Sequence, residues 1–302
     1  MKKFILCKLC LIVFGALLAV QSVSAGNWNK SKSYGNKIPN HWLFDVDFST
    51  PRQLEQFDMK RFQNCGLKPC GDGFIPARIV TGADGNEFLE ISARHGQLAH
   101  LNKGGNSFRN ELGTKSHKFN EFDLNGLEFW YGFRVRTPDD IKQKKFRDNT
   151  FSQIKQVTKS RKGETKLDCS KGVVFHMNTD GKVYNGYGIS YPRIMSVREI
   201  VSSDWSTYKV GLKFSYDDQG WIKVFKNSQL VWHDKGPNLI SEFFAECRDR
   251  KIDLITPHLR IGVYAKSSDP NAVVTLHFDD YVSGLNEDTI DRFHEKTNKV
   301  DQ

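Results

Sequence analysis

The sequence predicts an all-β fold, a two-sheet β-jelly-roll sandwich with a concave substrate cleft. Three observations predict it. Short segments with alternating apolar and polar positions recur from Trp42 to about Leu285. Turn-forming clusters such as T-G-A-D-G-N, N-T-D-G-K, D-D-Q-G and K-N-S-Q separate those segments. Helical periodicity is scarce, and no internal repeat or proline-rich linker interrupts the run. A stretch of about 240 residues lies within the range of one sandwich domain. In such a sandwich two inner sheet faces pack together, and an outer face is free to hold an extended chain.

The elements follow in order. Residues 1–25 read as a secretory signal. Lys2, Lys3 and Lys8 form a basic start, residues 9–20 an apolar run, and Val23-Ser24-Ala25 a small-residue cleavage site. The apolar run is short for a bilayer span, so the expectation is a secreted or periplasmic protein with no membrane anchor after cleavage. Residues 26–41 are a polar Gly/Asn/Lys-rich lead-in. The jelly-roll domain covers 42–285. Its expected strands are 42–48, 87–94, 107–113, 127–136, 151–157, 172–177, 186–191, 207–215, 220–226, 229–233, 258–266 and 273–283. Short helices are expected at 138–147 and 238–248, and residues 286–302 form a C-terminal helix or tail.

Four cysteines follow the signal: Cys65, Cys70, Cys169 and Cys247. In an oxidising compartment an even number favours disulfides, and the expected pairs are Cys65–Cys70 and Cys169–Cys247. Their spacing matches no zinc pattern. The full chain has a formal net charge of +9. Removing the three signal lysines leaves 41 basic against 35 acidic residues, a net +6. A basic protein suits a polyanionic partner. The chain carries no nucleic-acid-binding motif, so the expected partner is an acidic polysaccharide, met by a monomer.

The stretch H-L-R-I-G-V-Y-A-K, from His258 to Lys266, alternates without a break. Leu259, Ile261, Val263 and Ala265 fall on a buried face. His258, Arg260, Gly262, Tyr264 and Lys266 fall on the other. A phenol set among cations, with a glycine leaving room beside it, suits an acidic sugar on which a proton is moved. Two further strands have the same character. In F-R-N-E-L, Arg109 and Glu111 share a face, and Glu111 fixes the guanidinium of Arg109. In F-S-Q-I-K-Q-V, Gln153 and Lys155 share a face and form a carboxylate clamp.

These three segments resemble the signature strands of the jelly-roll polysaccharide lyases, the superfamily that includes alginate lyases and heparin lyase I. Alginate lyases of this fold carry R-[ST]-E-[LV], Q-[IV]-H and Y-F-K-A-G-x-Y-x-Q in that order. Here R-N-E-L stands at 109–112, Q-I-K at 153–155 and L-R-I-G-V-Y-A-K at 259–266. The resemblance implies β-elimination on a uronic-acid polysaccharide. Arg109, Gln153 and Lys155 would neutralise the C5 carboxylate, and Tyr264 would be the acid and base. Arg260 stands where the family has a lysine, and a nearby cation favours a phenolate. The family's motif histidine is Lys155 here. The C5 base is therefore either Tyr264 itself or one of His176, Tyr187 and Tyr191. Arg260, Lys266, Glu111, Tyr187, Tyr191 and Arg134 are the expected substrate-binding residues.

No cofactor is required by that chemistry. Sandwiches of the concanavalin type often end with a strand like L-H-F-D-D-Y (276–281); there Asp279 or Asp280, with an acid near Asp45 or Asp47, either helps to hold a structural Ca²⁺ or, the favoured reading, caps a strand end. Two other functions stay open. One is a non-catalytic binding protein of the same fold. The other is a glycoside hydrolase, whose paired carboxylates find no match in E-F-D-L-N-G-L-E (121–128).

Overall fold

Antiparallel pairing organises the chain into two facing sheets. The computed structural model describes residues 42–58, 68–70, 72–95, 107–114, 124–138, 147–155, 158–160, 173–179, 182–185, 193–196, 201–215, 217–239, 252–254 and 258–298. In chain order the first strands are β1 (Asp45–Val46), β2 (Ala77–Thr81), β3 (Glu87–Arg94), β4 (Ser107–Gly113), β5 (Glu128–Arg136), β6 (Arg147–Lys155), β7 (Thr158–Ser160) and β8 (Val173–Asn178). There follow β9 (Lys182–Asn185), β10 (Arg193–Ser196), β11 (Ser206–Lys213), β12 (Trp221–Lys226), β13 (Gln229–Lys235), β14 (Ile252–Leu254), β15 (His258–Lys266) and β16 (Val273–Gly284). One helix, α1 (Glu287–Asn298), follows β16.

The larger sheet runs β13-β12-β11-β5-β16-β3-β2, with β1 pairing against β16. The smaller runs β10-β9-β8-β6-β15-β4, and β14 pairs with β7 apart from both. Both sheets join consecutive strands, such as β11-β12-β13 and β8-β9-β10, to partners far apart in sequence, such as β5-β16 and β4-β15, and those long-range pairings are the mark of a jelly-roll sandwich rather than a chain of hairpins. The expected strand 42–48 pairs only over Asp45–Val46, and β6 starts at Arg147 rather than 151. The strand at 186–191 lies outside the described residues, as does most of each expected short helix. Cys70 is disulfide-bonded. Cys65, Cys169 and Cys247 lie outside the described residues, as do residues 1–41 with the signal and lead-in.

The core lies between the sheets. From the larger sheet it takes Phe129, Tyr131, Phe133, Val135, Tyr208, Val210 and Leu212. From the smaller it takes Phe108, Leu112, Phe151, Ile154, Phe175, Leu259, Ile261, Val263 and Ala265. Phe133 meets Phe151 edge to face at 6.1 Å, and Phe175 stacks on Trp232 at 5.6 Å. Burying each such ring stabilises the fold by roughly 1.5–3 kcal/mol. Because alternate residues enter this core, the other half of β4, β6, β8 and β15 faces outward together. Helix α1 covers one end of the larger sheet's outer face. There Ile290 packs with Trp130 and Val282, and Lys209 bonds Glu287 and Asp291, each at 2.7 Å.

Candidate active site

The outward face of the smaller sheet carries a row of polar side chains in cross-strand register. β15 lies between β4 and β6, so the three site segments of the sequence become neighbours. Tyr264 stands opposite Arg109, Gly262 opposite Glu111, and Arg260 opposite Gln153. His176 on β8 stands opposite Gln153 on its other side. Lys155 closes β6 opposite His258.

Glu111 is the hub. It is 2 % exposed. Gln153 donates its side-chain amide to Glu111 Oε1. Glu111 Oε2 lies 3.6 Å from Arg109 Nη1 and 3.8 Å from Arg260 Nη1. Two guanidiniums thus lean on one carboxylate, and the amide takes its other oxygen. Such a cluster holds its members in fixed rotamers, because moving any one strands a buried charge.

The Arg109 guanidinium also lies over the Tyr264 ring, its Cζ 4.1 Å from the ring centroid. This stack fixes the ring by cation–π attraction and sets a positive charge beside the phenol. Tyr264 itself is half-buried, and Lys266, two residues on, is exposed.

A bulge shapes this face. The register of β15 on β6 shifts between Ile261 and Tyr264, and that of β6 on β8 between Thr150 and Ser152. Phe151 and Ser152 consequently both turn inward. Phe151 packs on Phe133 and Tyr208, while Ser152 lies 3.2 Å from the Tyr131 hydroxyl. Strict alternation would have placed Phe151 beside Gln153. The extra residue instead lets Thr150 and Gln153 share the outward face, a known use of bulges at functional sites. Thr150 faces Tyr264 and donates to Asn178 Oδ1 at 2.9 Å. Neither Thr150 nor Asn178 was expected at the site. Asn178 was legible, since it alternates with His176 on one strand; Thr150 was hidden by the bulge.

Arg134 sits on β5, in the other sheet. Its neighbours Phe133 and Val135 enter the core, so its side chain leaves on the opposite side of the sandwich. There its Nη1 lies 3.7 Å from Asp279 Oδ2 and 3.4 Å from Asp280 Oδ2. Asp279 and Asp280, the acids named for a structural Ca²⁺, thus both lie against the Arg134 guanidinium. Among the described residues no group of three or more His, Cys, Asp or Glu is set to hold a metal. The Arg260 side chain is only 4 % exposed and sets its Nη1 3.8 Å from Glu111 Oε2. Gly262, expected to leave room for a sugar, has φ +139°, and a Cβ there would fall 2.8 Å from Glu111 Cα and against the Asn110 carbonyl. Its missing side chain serves the close approach of β4. His176 is half-buried, and Tyr187 and Tyr191 lie outside the described residues.

The smaller sheet of the jelly-roll sandwich thus carries on its outer face a tyrosine stacked under an arginine, and the class of protein follows from the sequence family. The sequence matches the polysaccharide lyase family over residues 77–282, more than half of the chain. The chain belongs to that family and is a polysaccharide lyase. None of the curated proteins matches it in sequence. Among solved structures it is similar to an endo-β-1,4-glucuronan lyase from the fungus Trichoderma reesei, at 13 % identity and TM-score 0.49, over 71 % of this chain and 89 % of that one. It is similar to an alginate lyase in complex with an alginate trisaccharide, at 11 % identity and TM-score 0.42, over 81 % and 98 %. A family 7 alginate lyase in complex with its product follows at 10 % identity and TM-score 0.42, over 72 % and 87 %.

Proposed function

We propose that this lyase is secreted or periplasmic and cleaves a uronic-acid polysaccharide by β-elimination, with Tyr264 as both base and acid. The observation that carries the reading is the Arg109 guanidinium stacked on Tyr264. One cation there is shared between the substrate carboxylate and the phenol that works on the adjacent carbon.

In this reading Arg109, Gln153 and Lys155 neutralise the C5 carboxylate, which makes the C5 proton more acidic. The Tyr264 phenolate takes that proton. The C5–H pair becomes the C4–C5 double bond, the C4–O bond breaks, and the phenol returns the proton to the leaving oxygen. Gln153 keeps one amide hydrogen for the substrate while the other serves Glu111. Glu111 and Arg260 are positioning residues. His176 stands in the row of Gln153 and Arg260, three residues along β6 from the Thr150 that faces Tyr264. That is about 10 Å of strand, which favours a role for His176 in holding a neighbouring sugar over taking the same proton. Lys266, exposed beyond Tyr264, adds a charge contact along the polymer. The signal-like residues 1–25 support export, and the paired cysteine count supports an oxidising compartment.

The test is a panel of alginate, polyglucuronate, heparan sulfate and pectate, followed by absorbance of the new double bond. The expected result is a rise with at least one polymer, lost in Tyr264→Phe and largely kept in His176→Ala. No rise with any polymer, with binding intact, would instead support a non-catalytic polysaccharide-binding protein.

A further inference from the structure

The larger sheet also has an outer face, on the far side of the sandwich from Tyr264. At its β11–β12–β13 edge, Ile222 and Val224 enter the core, so Trp221, Lys223 and Phe225 point away from it. Register extends this into rows. Lys213, Trp221 and Lys235 lie side by side across three strands, and Lys223 lies beside His233. The Lys223 ammonium sits 4.9 Å from the Trp221 ring centroid. Trp221, Lys213 and Lys223 are half-buried, whereas His233 and Lys235 are exposed. Leu230, opposite Phe225, is 48 % exposed. Helix α1 holds Lys209 between its Glu287 and Asp291 on the neighbouring part of this face, and Trp221 and Phe225 pack against Trp130, beside the helix residue Ile290.

Lys213, Lys223 and Lys235 bring three cations to these rows, with Asp234 beside them. His233 is held below the usual histidine value, first by desolvation and then by the charges of Lys223 and Lys235. A flat indole with ammonium groups on the strands either side, about 4.8 Å away, has the chemistry of a site for a sugar ring bearing carboxylates. The solvent-exposed part of the indole, which otherwise packs against Trp130 and under Lys223, offers its surface to the axial C–H groups of a pyranose, and the lysines offer charge to the acid groups.

We propose that this lysine–tryptophan platform is a second, non-catalytic binding surface for the same class of uronic-acid polysaccharide that the active-site face cleaves. The proposal rests on that substrate reading. A platform behind the catalytic sheet keeps the enzyme on a long chain between cleavages without touching the reacting sugar. It therefore acts on long polymers and not on short oligosaccharides.

The experiment uses the full chain with Lys213→Gln/Lys223→Gln/Lys235→Gln, and separately Trp221→Ala, each checked for an unchanged melting temperature. On the polymer that the wild type cleaves best, KM is expected to rise about fivefold or more in the lysine variant, with kcat unchanged. Kinetics on a trisaccharide or tetrasaccharide of the same sugar are expected to stay as in the wild type. Affinity electrophoresis in gels containing alginate, polyglucuronate or duplex DNA gives a second readout that needs no turnover. Loss of retardation by the uronate polymers in both variants supports the platform even if no polymer is cleaved. Unchanged polymer KM and unchanged retardation in the lysine variant would overturn it. So would retardation by DNA equal to that by the uronates and indifferent to Trp221→Ala, which marks a charge patch without sugar recognition.

Discussion

Arg109 lies over the ring of Tyr264 while pairing with the buried Glu111, so one guanidinium touches both the proposed proton carrier and the hub that holds the site together. The two residues are far apart in sequence and meet because β4 and β15 pair with Arg109 opposite Tyr264. The charge beside the Tyr264 ring is therefore itself fixed by packing.

Tyr264→Phe keeps the ring under the guanidinium and removes only the hydroxyl. Turnover is expected to fall by about 10²–10⁴, the span of general acid–base catalysis, with polymer binding kept. Double-bond absorbance and gel retardation measured on one preparation check this. A variant with more than a tenth of wild-type kcat would remove Tyr264 from the mechanism.

Glu111→Gln leaves Arg109 and Arg260 without their shared carboxylate. Losing one partner of a buried ion pair costs about 3–5 kcal/mol, so the urea midpoint is expected to drop sharply and activity with it. The control is Arg134→Gln on the opposite face. Its pairing with Asp279 and Asp280 predicts a change in stability with kcat on polymer unchanged.

Gly262→Ala places a methyl group against the Asn110 carbonyl and 2.8 Å from Glu111 Cα, at φ +139°. A strained backbone position costs of order 1–3 kcal/mol, and here the neighbour is strand backbone that cannot rotate away. The expected result is a destabilised protein that loses activity even where it remains folded, because β4 carries both Arg109 and Glu111. Denaturant midpoint and kcat at low temperature read the two effects separately.

Asp279 predicts a pH dependence. Burial, and next the charge of Asp280, push its carboxyl up to about 8, from 3.8 when unperturbed. Between those values the folded protein holds a proton that the unfolded chain has released. Stability therefore falls as pH rises from about 4 to about 8 and levels off above. Asp279→Asn is expected to flatten that slope. Melting temperatures across the window check it, and equal slopes in both proteins would refute the assignment.

Much of this was legible in the chain. The strict alternation of 258–266 fixed both its faces, and Leu259, Ile261, Val263 and Ala265 are all core. The strands at 87–94, 107–113 and 258–266 have the bounds that alternation predicts, and the three site segments do lie on adjacent strands. Alternation is a local, period-two signal that survives wherever one sheet face is buried. β2 was not anticipated, since A-R-I-V-T is too short a run to stand out among turns.

The sequence by itself determined the sandwich, the polar strand carrying Tyr264, and the company of arginine, glutamate and glutamine that it keeps. Only the tertiary structure decided how they divide the work. It put Arg109 rather than Arg260 against the tyrosine, buried Arg260 under Glu111, sent Arg134 to the other side, and gave Gly262 to the approach of a neighbouring backbone. These outcomes depend on which strands pair and where a bulge shifts the register. Such pairings join residues scores of positions apart, and no local periodicity encodes them.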